Sequence, residues 1–214
     1  MSLFKERAVK GMTVKMYRTV AFFVAFFALM TGIWFAAYEH KRFDPEGMHG
    51  TWLNTPRVLQ PFQMQLTDGS TFTNDSLKGH WSMIYLGFTH CPQVCPITMT
   101  ELAKTVRLLK QQGLSELPHV TMITVDPDRD DVATMKDYVQ GFHPDFTGAV
   151  PSHDILKQVA HELGAAYEKQ AGKTEDIEHT GAVMMFNPQG ELAGFFSYPH
   201  KAADLAQDLT AMVG

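Results

Sequence analysis

Cysteine is scarce in this chain, because Cys91 and Cys95 are the only two among 214 residues. A structural zinc site normally takes four protein ligands, so two thiols alone do not make one. A disulfide between them would close a loop of a few residues, and so short a loop adds little stability because the entropic gain grows with loop length. We therefore expect the pair to serve chemistry, either as a redox dithiol or as part of a soft-metal site.

Basic residues are in the minority, with 18 Lys and Arg against 23 Asp and Glu. They are concentrated at the start, where residues 1–18 carry five basic residues and one Glu, which leaves 13 basic and 22 acidic residues for the rest. An acidic body repels phosphate backbones, so we expect no nucleic-acid partner. The hydrophobic content of 45% is that of a globular protein with a full core.

One long segment lacks charge altogether. Residues 19–38, TVAFFVAFFALMTGIWFAAY, contain no charged side chain, and a helix of that length spans about 30 Å, the thickness of a bilayer core. Its aromatic residues surround the helix axis, whereas a soluble helix gathers them in one stripe. A secretory signal peptide has a shorter apolar core and a small-residue cleavage site, which this segment lacks. The pattern predicts an uncleaved transmembrane helix that anchors the protein to a membrane.

The charges that flank the predicted anchor indicate its orientation. Five basic residues precede it, whereas Lys41 and Arg42 follow it, and the side richer in Lys and Arg stays in the cytoplasm. We therefore expect residues 1–18 to form a cytoplasmic stub, residues 39–58 to form a polar tether, and residues 59–214 to fold outside. In a bacterium, this describes a single-pass protein of the inner membrane with its C-terminal domain in the periplasm.

Beyond the predicted tether, the hydrophobic pattern alternates between strands and helices. Residues 81–88 and 119–127 form two largely apolar runs, as strands buried on both faces do. Helical spacing follows each run, residues 182–198 indicate a hairpin, and an amphipathic helix ends the chain. This order predicts an α/β domain with a thioredoxin-like fold, in which helices flank a central mixed sheet.

The cysteines follow the first buried strand and precede a predicted helix. Pro96 suits the first turn of a helix, and apolar residues recur at helical spacing from Leu102 to Leu109. The partial positive charge of a helix N-terminus favours thiolate over thiol. Active sites of open α/β sheets collect at this edge of the strands. We expect both thiols to lie there in a loop and to be incompletely buried.

Two thiolates need a further ligand to complete a metal site. Cu(I) prefers thiolate and accepts low coordination, so two sulfurs and one imidazole would suffice. His90 adjoins Cys91, but neighbouring side chains of an extended segment point to opposite sides. His179 lies just before the C-terminal hairpin, whose first strand we expect beside the thiol loop. The residues by themselves leave the identity of the third ligand open.

Three separated motifs resemble the Sco/SenC family: GFTHCPQVCP at 87–96, VDPDRD at 125–130 and EHTGAVMMFNPQGE at 178–191. Members of that family are membrane-anchored, thioredoxin-fold copper proteins that help to metallate the CuA centre of cytochrome c oxidase. The resemblance implies a copper ion held by Cys91, Cys95 and His179, with Asp126 at an acidic position near the site. It also implies two partners: an upstream copper donor, and the copper-bearing subunit of an oxidase or another apo-cuproenzyme.

Two residues depart from the pattern of that family. Gln93 and Glu178 stand where the family often has Asp, and neither change removes a ligand. Asp126 also has a plainer interpretation, as a loop-capping residue before Pro127. The function has an alternative too, because a dithiol near a helix N-terminus is a competent reductant. A thiol-disulfide oxidoreductase acting on exported proteins stays open, and only that alternative would make the chain an enzyme.

Overall fold

The computed structural model describes residues 21–32, 47–165, 167–169 and 177–213. The chain divides into two units, Met1–Asp44 and Pro45–Gly214. In the first unit, residues 21–32 form helix α1. Among the described residues, no helix combines the length and the apolar character needed to cross a membrane. The remainder of the predicted anchor, residues 19–20 and 33–38, lies outside the part of the chain that the structure describes.

The described residues of the second unit form ten strands and four α-helices. The strands are β1 Thr51–Arg57, β2 Gln63–Leu66, β3 Thr71–Thr73, β4 Ser82–Gly87, β5 His119–Thr124, β6 Thr147–Val150, β7 Tyr167–Lys169, β8 Ile177–His179, β9 Val183–Phe186 and β10 Leu192–Phe196. The helices are α2 Val94–Gln111, α3 Val132–Gln140, α4 His153–Leu163 and α5 Ala202–Val213.

Eight of the strands form one mixed sheet in the order β1-β10-β9-β4-β5-β6-β2-β3. Strands β4, β5 and β6 run parallel to one another, whereas β9 is antiparallel to β4 and β2 is antiparallel to β6. Strands β7 and β8 form a separate antiparallel pair. This architecture confirms the predicted α/β fold with a central mixed sheet.

Strand β4 lies at the centre of the core. All six of its residues, SMIYLG, are buried, as the uninterrupted apolar run predicted for a strand covered on both faces. Helix α2 begins directly after the cysteine loop and packs against α5. The packing of β4 and α2 fixes the two ends of the segment that carries the thiols.

Strand β1 falls within the segment assigned to the tether, residues 39–58. It pairs with β10 at the edge of the sheet, and the buried Trp52 ring meets Phe196 edge-on at 5.9 Å. The indole nitrogen of Trp52 also donates to Asp208 at 3.3 Å. The polar composition of this strand, with Pro56 next to its last residue, is tolerated because an edge strand exposes one side to solvent. The folded unit therefore starts earlier than the composition indicates.

Candidate metal centre

The two cysteines lie on either side of the start of helix α2. Cys91 closes a turn after β4, in which its amide donates to the carbonyl of Phe88 at 3.2 Å. Helix α2 begins at Val94, so Cys95 is its second residue. Pro96 occupies the first turn, as predicted, where a missing amide proton costs nothing. The helix thus holds one thiol, and the preceding turn holds the other.

The sulfur of Cys91 caps helix α2. The amide of Cys95 donates to the Cys91 sulfur at 3.4 Å, while Gln93, at the N-cap position, makes no capping hydrogen bond with its side chain. Asp is a strong N-cap residue and Gln is not. The sulfur therefore lies where the partial positive charge at the helix N-terminus favours its thiolate form.

Cys95 is fully buried, with 0% of its surface exposed, whereas Cys91 is partly exposed. The expectation of incomplete burial is confirmed for Cys91 and wrong for Cys95, because Cys95 points from the helix into the core. The Tyr85 hydroxyl donates to its sulfur at 3.4 Å. Its hydrogen bond with Cys91 and its burial raise the pKa of the Cys95 thiol. In the metal-free protein, Cys95 therefore retains its proton and Cys91 is the accessible sulfur.

Gly87 allows the sulfur of Cys95 to approach the end of β4. A Cβ atom at position 87 would lie 3.0 Å from the Cys95 sulfur, 2.8 Å from a Tyr85 ring carbon and 3.0 Å from the Met122 methyl group. Real Cβ atoms essentially never come within 2.8 Å of another side chain and rarely within 3.0 Å, so a larger residue would push Tyr85, Cys95 or Met122 aside. The last residue of the strand is thus part of the site.

His179 is the final residue of β8, where its backbone pairs with Tyr167. The side chain of His179 lies outside the side chains that the structure describes, so the position of its imidazole stays a prediction. The backbone after it runs beside the start of α2, since a Cβ atom at Gly181 would lie 3.4 Å from a methyl group of Val94. His200 fixes this turn by donating from Nε2 to the carbonyl of Gly181 at 2.7 Å.

Asp126 is buried, and its carboxylate accepts a hydrogen bond from Nε of Arg129. The Arg129 guanidinium lies 6.0 Å from the centre of the Phe88 ring, within cation–π distance. The side chain of Asp126 therefore connects to the cysteine turn through Arg129. The backbone carbonyl of Asp126 also accepts from the amides of Arg129 at 3.1 Å and Asp130 at 3.0 Å.

Asp130 is a residue of this region that sequence reasoning missed. It is fully buried and accepts hydrogen bonds from Thr89, next to the cysteine turn, and from Thr124. Its position after β5 was a signal, because the ends of neighbouring parallel strands meet at one edge of a sheet. Among the side chains that the structure describes, no three from His, Cys, Asp and Glu come together in a group able to hold a metal ion.

A pair of thiols at the start of the helix that follows the central parallel strand defines a thioredoxin-like protein with a dithiol site. The model of the family described as SCO1/SenC matches residues 51–214, which include the whole sheet. This chain therefore belongs to the SCO1/SenC family.

The relatives of the chain include proteins of plants and bacteria. "Protein SCO1 homolog 1, mitochondrial" of Arabidopsis thaliana is 32% identical over 148 residues, which are 68% of this chain and 44% of that protein. The chain thus spans less than half of this curated relative.

The solved structures that share the fold include two with copper bound. Arabidopsis thaliana ScoI with copper bound has a TM-score of 0.68 at 28% identity and covers 73% of this chain and 98% of its own. Bradyrhizobium japonicum ScoI with copper bound has a TM-score of 0.64 at 29% identity and covers 72% of this chain and 99% of its own.

Proposed function

We propose that this chain is a membrane-tethered copper chaperone that binds one copper ion through Cys91, Cys95 and His179. The observation that carries the proposal is the adjacent pair of thiols, in which the Cys95 amide lies 3.4 Å from the Cys91 sulfur. Thiolate sulfur is a preferred donor for Cu(I). The copper in the Arabidopsis and Bradyrhizobium relatives supports the same cargo here.

The three ligands have different roles in this proposal. Cys91 is partly exposed and caps the helix, so it is the ligand that receives the ion and releases it. Cys95 is buried and retains its proton in the metal-free state, so loading the ion displaces that proton. His179 completes a low-coordinate site from the turn beside α2. Such a site can exchange one ligand at a time with a recipient.

The recipient in this proposal is the CuA site of a cytochrome c oxidase or a similar cuproenzyme, and an upstream donor supplies the ion. Membership of the SCO1/SenC family supports both partners. Because transfer passes the ion between sites and changes no covalent bond of a substrate, the chain acts as a carrier and not as an enzyme.

Helix α1 supports the membrane tether. Its large apolar side chains are exposed on all sides of the helix, with Phe22 and Phe27 each 68% exposed, and a surface of this kind is stable in lipid. We place residues 1–18 in the cytoplasm and the C-terminal domain in the periplasm of a bacterium. The protein should stay with the membranes during alkaline carbonate extraction, whereas release into the supernatant would refute the tether.

A second candidate function is thiol-disulfide exchange on an exported protein. The unequal burial of Cys91 and Cys95 favours it, because an accessible thiol backed by a buried one suits attack on a partner's disulfide. The Cys91 thiolate would form a mixed disulfide and Cys95 would resolve it. One partner disulfide is thereby reduced to two thiols, while Cys91 and Cys95 are oxidised to a disulfide.

An anaerobic Cu(I) titration of the full chain in detergent, against a chromophoric chelator, tests the proposed function. We expect one tight equivalent per chain, and a rise in Kd of at least about a hundredfold in Cys91→Ala and Cys95→Ala, since loss of an outer contact alone costs 10–100-fold. Reduction of insulin disulfides is measured on the same samples. Brisk reduction without a tight Cu(I) equivalent would overturn the chaperone and establish the exchange activity.

A further inference from the structure

A buried carboxylate holds the turn that carries Cys91. Asp130 is 0% exposed. One of its oxygens accepts from the amide of Thr89 at 2.9 Å and from the hydroxyl of Thr124 at 2.7 Å, and the other accepts from the hydroxyl of Thr89 at 2.5 Å. Thr89 thus gives both its backbone and its side-chain donor to one carboxylate, two residues before Cys91.

The sheet explains why these groups meet. Strands β4 and β5 are parallel neighbours, with Gly87 opposite Thr124 in the last pair of the register. The chain continues the pairing for one step, because the Val125 amide donates to the Gly87 carbonyl at 2.9 Å. Beyond that point the Asp130 side chain joins the two loops by hydrogen bonds to Thr89, beside the contact of Arg129 with Phe88. The cysteine turn is therefore fixed at Thr89, before the chain enters helix α2.

A buried carboxylate costs free energy unless its hydrogen bonds are satisfied. Asp130 accepts from three donors, and two of them belong to the cysteine turn. These hydrogen bonds fix the conformation of that turn, which an apolar residue at position 130 would not do. Asp208 is equally buried and accepts from the amides of His49 and Gly50 and the indole of Trp52. Asp208 acts elsewhere in the fold, because it joins the start of β1 to α5.

We propose that Asp130 is a positioning residue for the dithiol, acting through Thr89 to fix the sulfur of Cys91 at the start of α2. Among the described side chains, its hydrogen bonds go to Thr89 and Thr124 and not to a cysteine sulfur. Its effect on the thiol turn is independent of the cargo, while its effect on copper affinity rests on the proposed function. Preorganisation of this kind lowers the cost of gathering ligands around an ion.

The test compares three variants of the full chain in detergent. Asp130→Ala removes the three hydrogen bonds that the carboxylate accepts and its 3.5 Å contact with Nδ1 of His90. Asp130→Asn keeps the shape and can still accept from the Thr89 amide, while its amide group donates to a hydroxyl that rotates to accept. Asp208→Ala is the matched control, because it removes a carboxylate of the same burial that is bonded to other elements of the fold. Thermal unfolding is recorded for each variant.

The first readout is the exchange of amide hydrogens in the metal-free protein. We expect Asp130→Ala to speed the exchange of the Thr89 and Cys91 amide hydrogens at least about tenfold. Without the carboxylate, the turn opens without breaking these hydrogen bonds, so local opening costs less free energy. Asp130→Asn should recover most of the protection, and Asp208→Ala should leave these two amides unchanged. Equal acceleration in Asp208→Ala and Asp130→Ala would overturn the positioning role.

The second readout is Cu(I) affinity. Asp130→Ala should raise Kd by about 10–100-fold, the range for an outer contact that orients a ligand, and Asp208→Ala should leave it within about threefold. If the wild-type protein binds no Cu(I), the proposed function fails, while the amide hydrogen exchange result still decides the positioning role. If wild type binds and Asp130→Ala binds equally well, the positioning role fails alone.

Asp130→Ala removes several buried hydrogen bonds and is the variant at greatest risk of misfolding. Thr89→Val keeps the volume and the amide of Thr89 but removes its hydroxyl donor. We expect a rise in Kd of about threefold, consistent with the loss of one hydrogen bond, and faster exchange of the Cys91 amide. Wild-type exchange of the Cys91 amide hydrogen and wild-type Cu(I) affinity in Thr89→Val would refute the inference without the alanine variant.

Discussion

At the residue scale, the decisive feature is the unequal environment of two chemically identical side chains. Cys91 is partly exposed and accepts from a helix amide, while Cys95 is buried and has a raised pKa. The cysteines are four positions apart, and Cys91 lies in the turn just before the helix that holds Cys95. Their spacing did not predict the burial of Cys95, because burial depends on Gly87 and Tyr85 across the site and on the exact residue at which α2 begins.

Gly87 is the residue whose replacement tests this close packing. Gly87→Ala would place a methyl group 3.0 Å from the Cys95 sulfur and 2.8 Å from the Tyr85 ring. We expect the free energy of unfolding to fall by about 1–3 kcal/mol, as for other overpacked cores, together with weaker Cu(I) binding as Cys95 is displaced. Chemical denaturation and chelator competition measure the two effects.

Gly181→Ala is the matched control, because its added methyl group would lie 3.4 Å from its nearest neighbours, at ordinary contact distance. It should unfold within about 0.5 kcal/mol of wild type, as substitutions without a special mechanism do. If Gly87→Ala is as stable as Gly181→Ala and binds Cu(I) as wild type does, the close packing of Cys95 is of no consequence.

At the element scale, the elements with strong patterns were predicted from the sequence. The uninterrupted run in β4 and the hairpin of β9 and β10 each follow from a local rule of burial or turn. These elements form the framework that carries the thiols. The fold class was predictable because most of the central sheet obeys such rules.

Other elements have no local signal because their partners are distant in the sequence. Strand β1 has a polar composition and is stabilised by β10 and by the packing of Trp52. Strand β6 has four residues, TGAV, which are too few to show a period and are held between β5 and β2. Tertiary pairing decides the structure of both, so composition assigned β1 to the tether.

The element after β5 shows the same limit within the site. The motif VDPDRD drew attention to Asp126, whose carboxylate pairs with Arg129. Asp130, four positions later, holds the cysteine turn through Thr89. Which of two acidic residues in one loop faces the neighbouring strand depends on how the loop turns after Thr124, and the sequence alone does not specify this.

At the scale of the whole molecule, the strand order brings three separated motifs to one edge of the sheet. Strand β4 lies between β9 and β5. The cysteine motif follows β4 and VDPDRD follows β5, and these strands are parallel. The motif with His179 precedes β9, which runs antiparallel to β4. All three motifs therefore reach the same edge of the sheet, although they are far apart in the chain.

The proposed copper function depends most on His179 as a third ligand. A dithiol alone serves an oxidoreductase equally well, whereas a distant imidazole is needed only by a three-ligand copper site. The backbone of the turn after His179 passes close to Val94 and is fixed by His200. The topology thus supports a third ligand from this turn.

The most direct test is the Cu(I) affinity of His179→Ala, measured anaerobically on the full chain in detergent by chelator competition. His161→Ala is the control, because His161 is exposed on α4. We predict that His179→Ala raises Kd by at least about tenfold, the lower limit for loss of a contact that matters to a metal site, while His161→Ala binds as wild type does. Wild-type affinity in His179→Ala would contradict the three-ligand copper site.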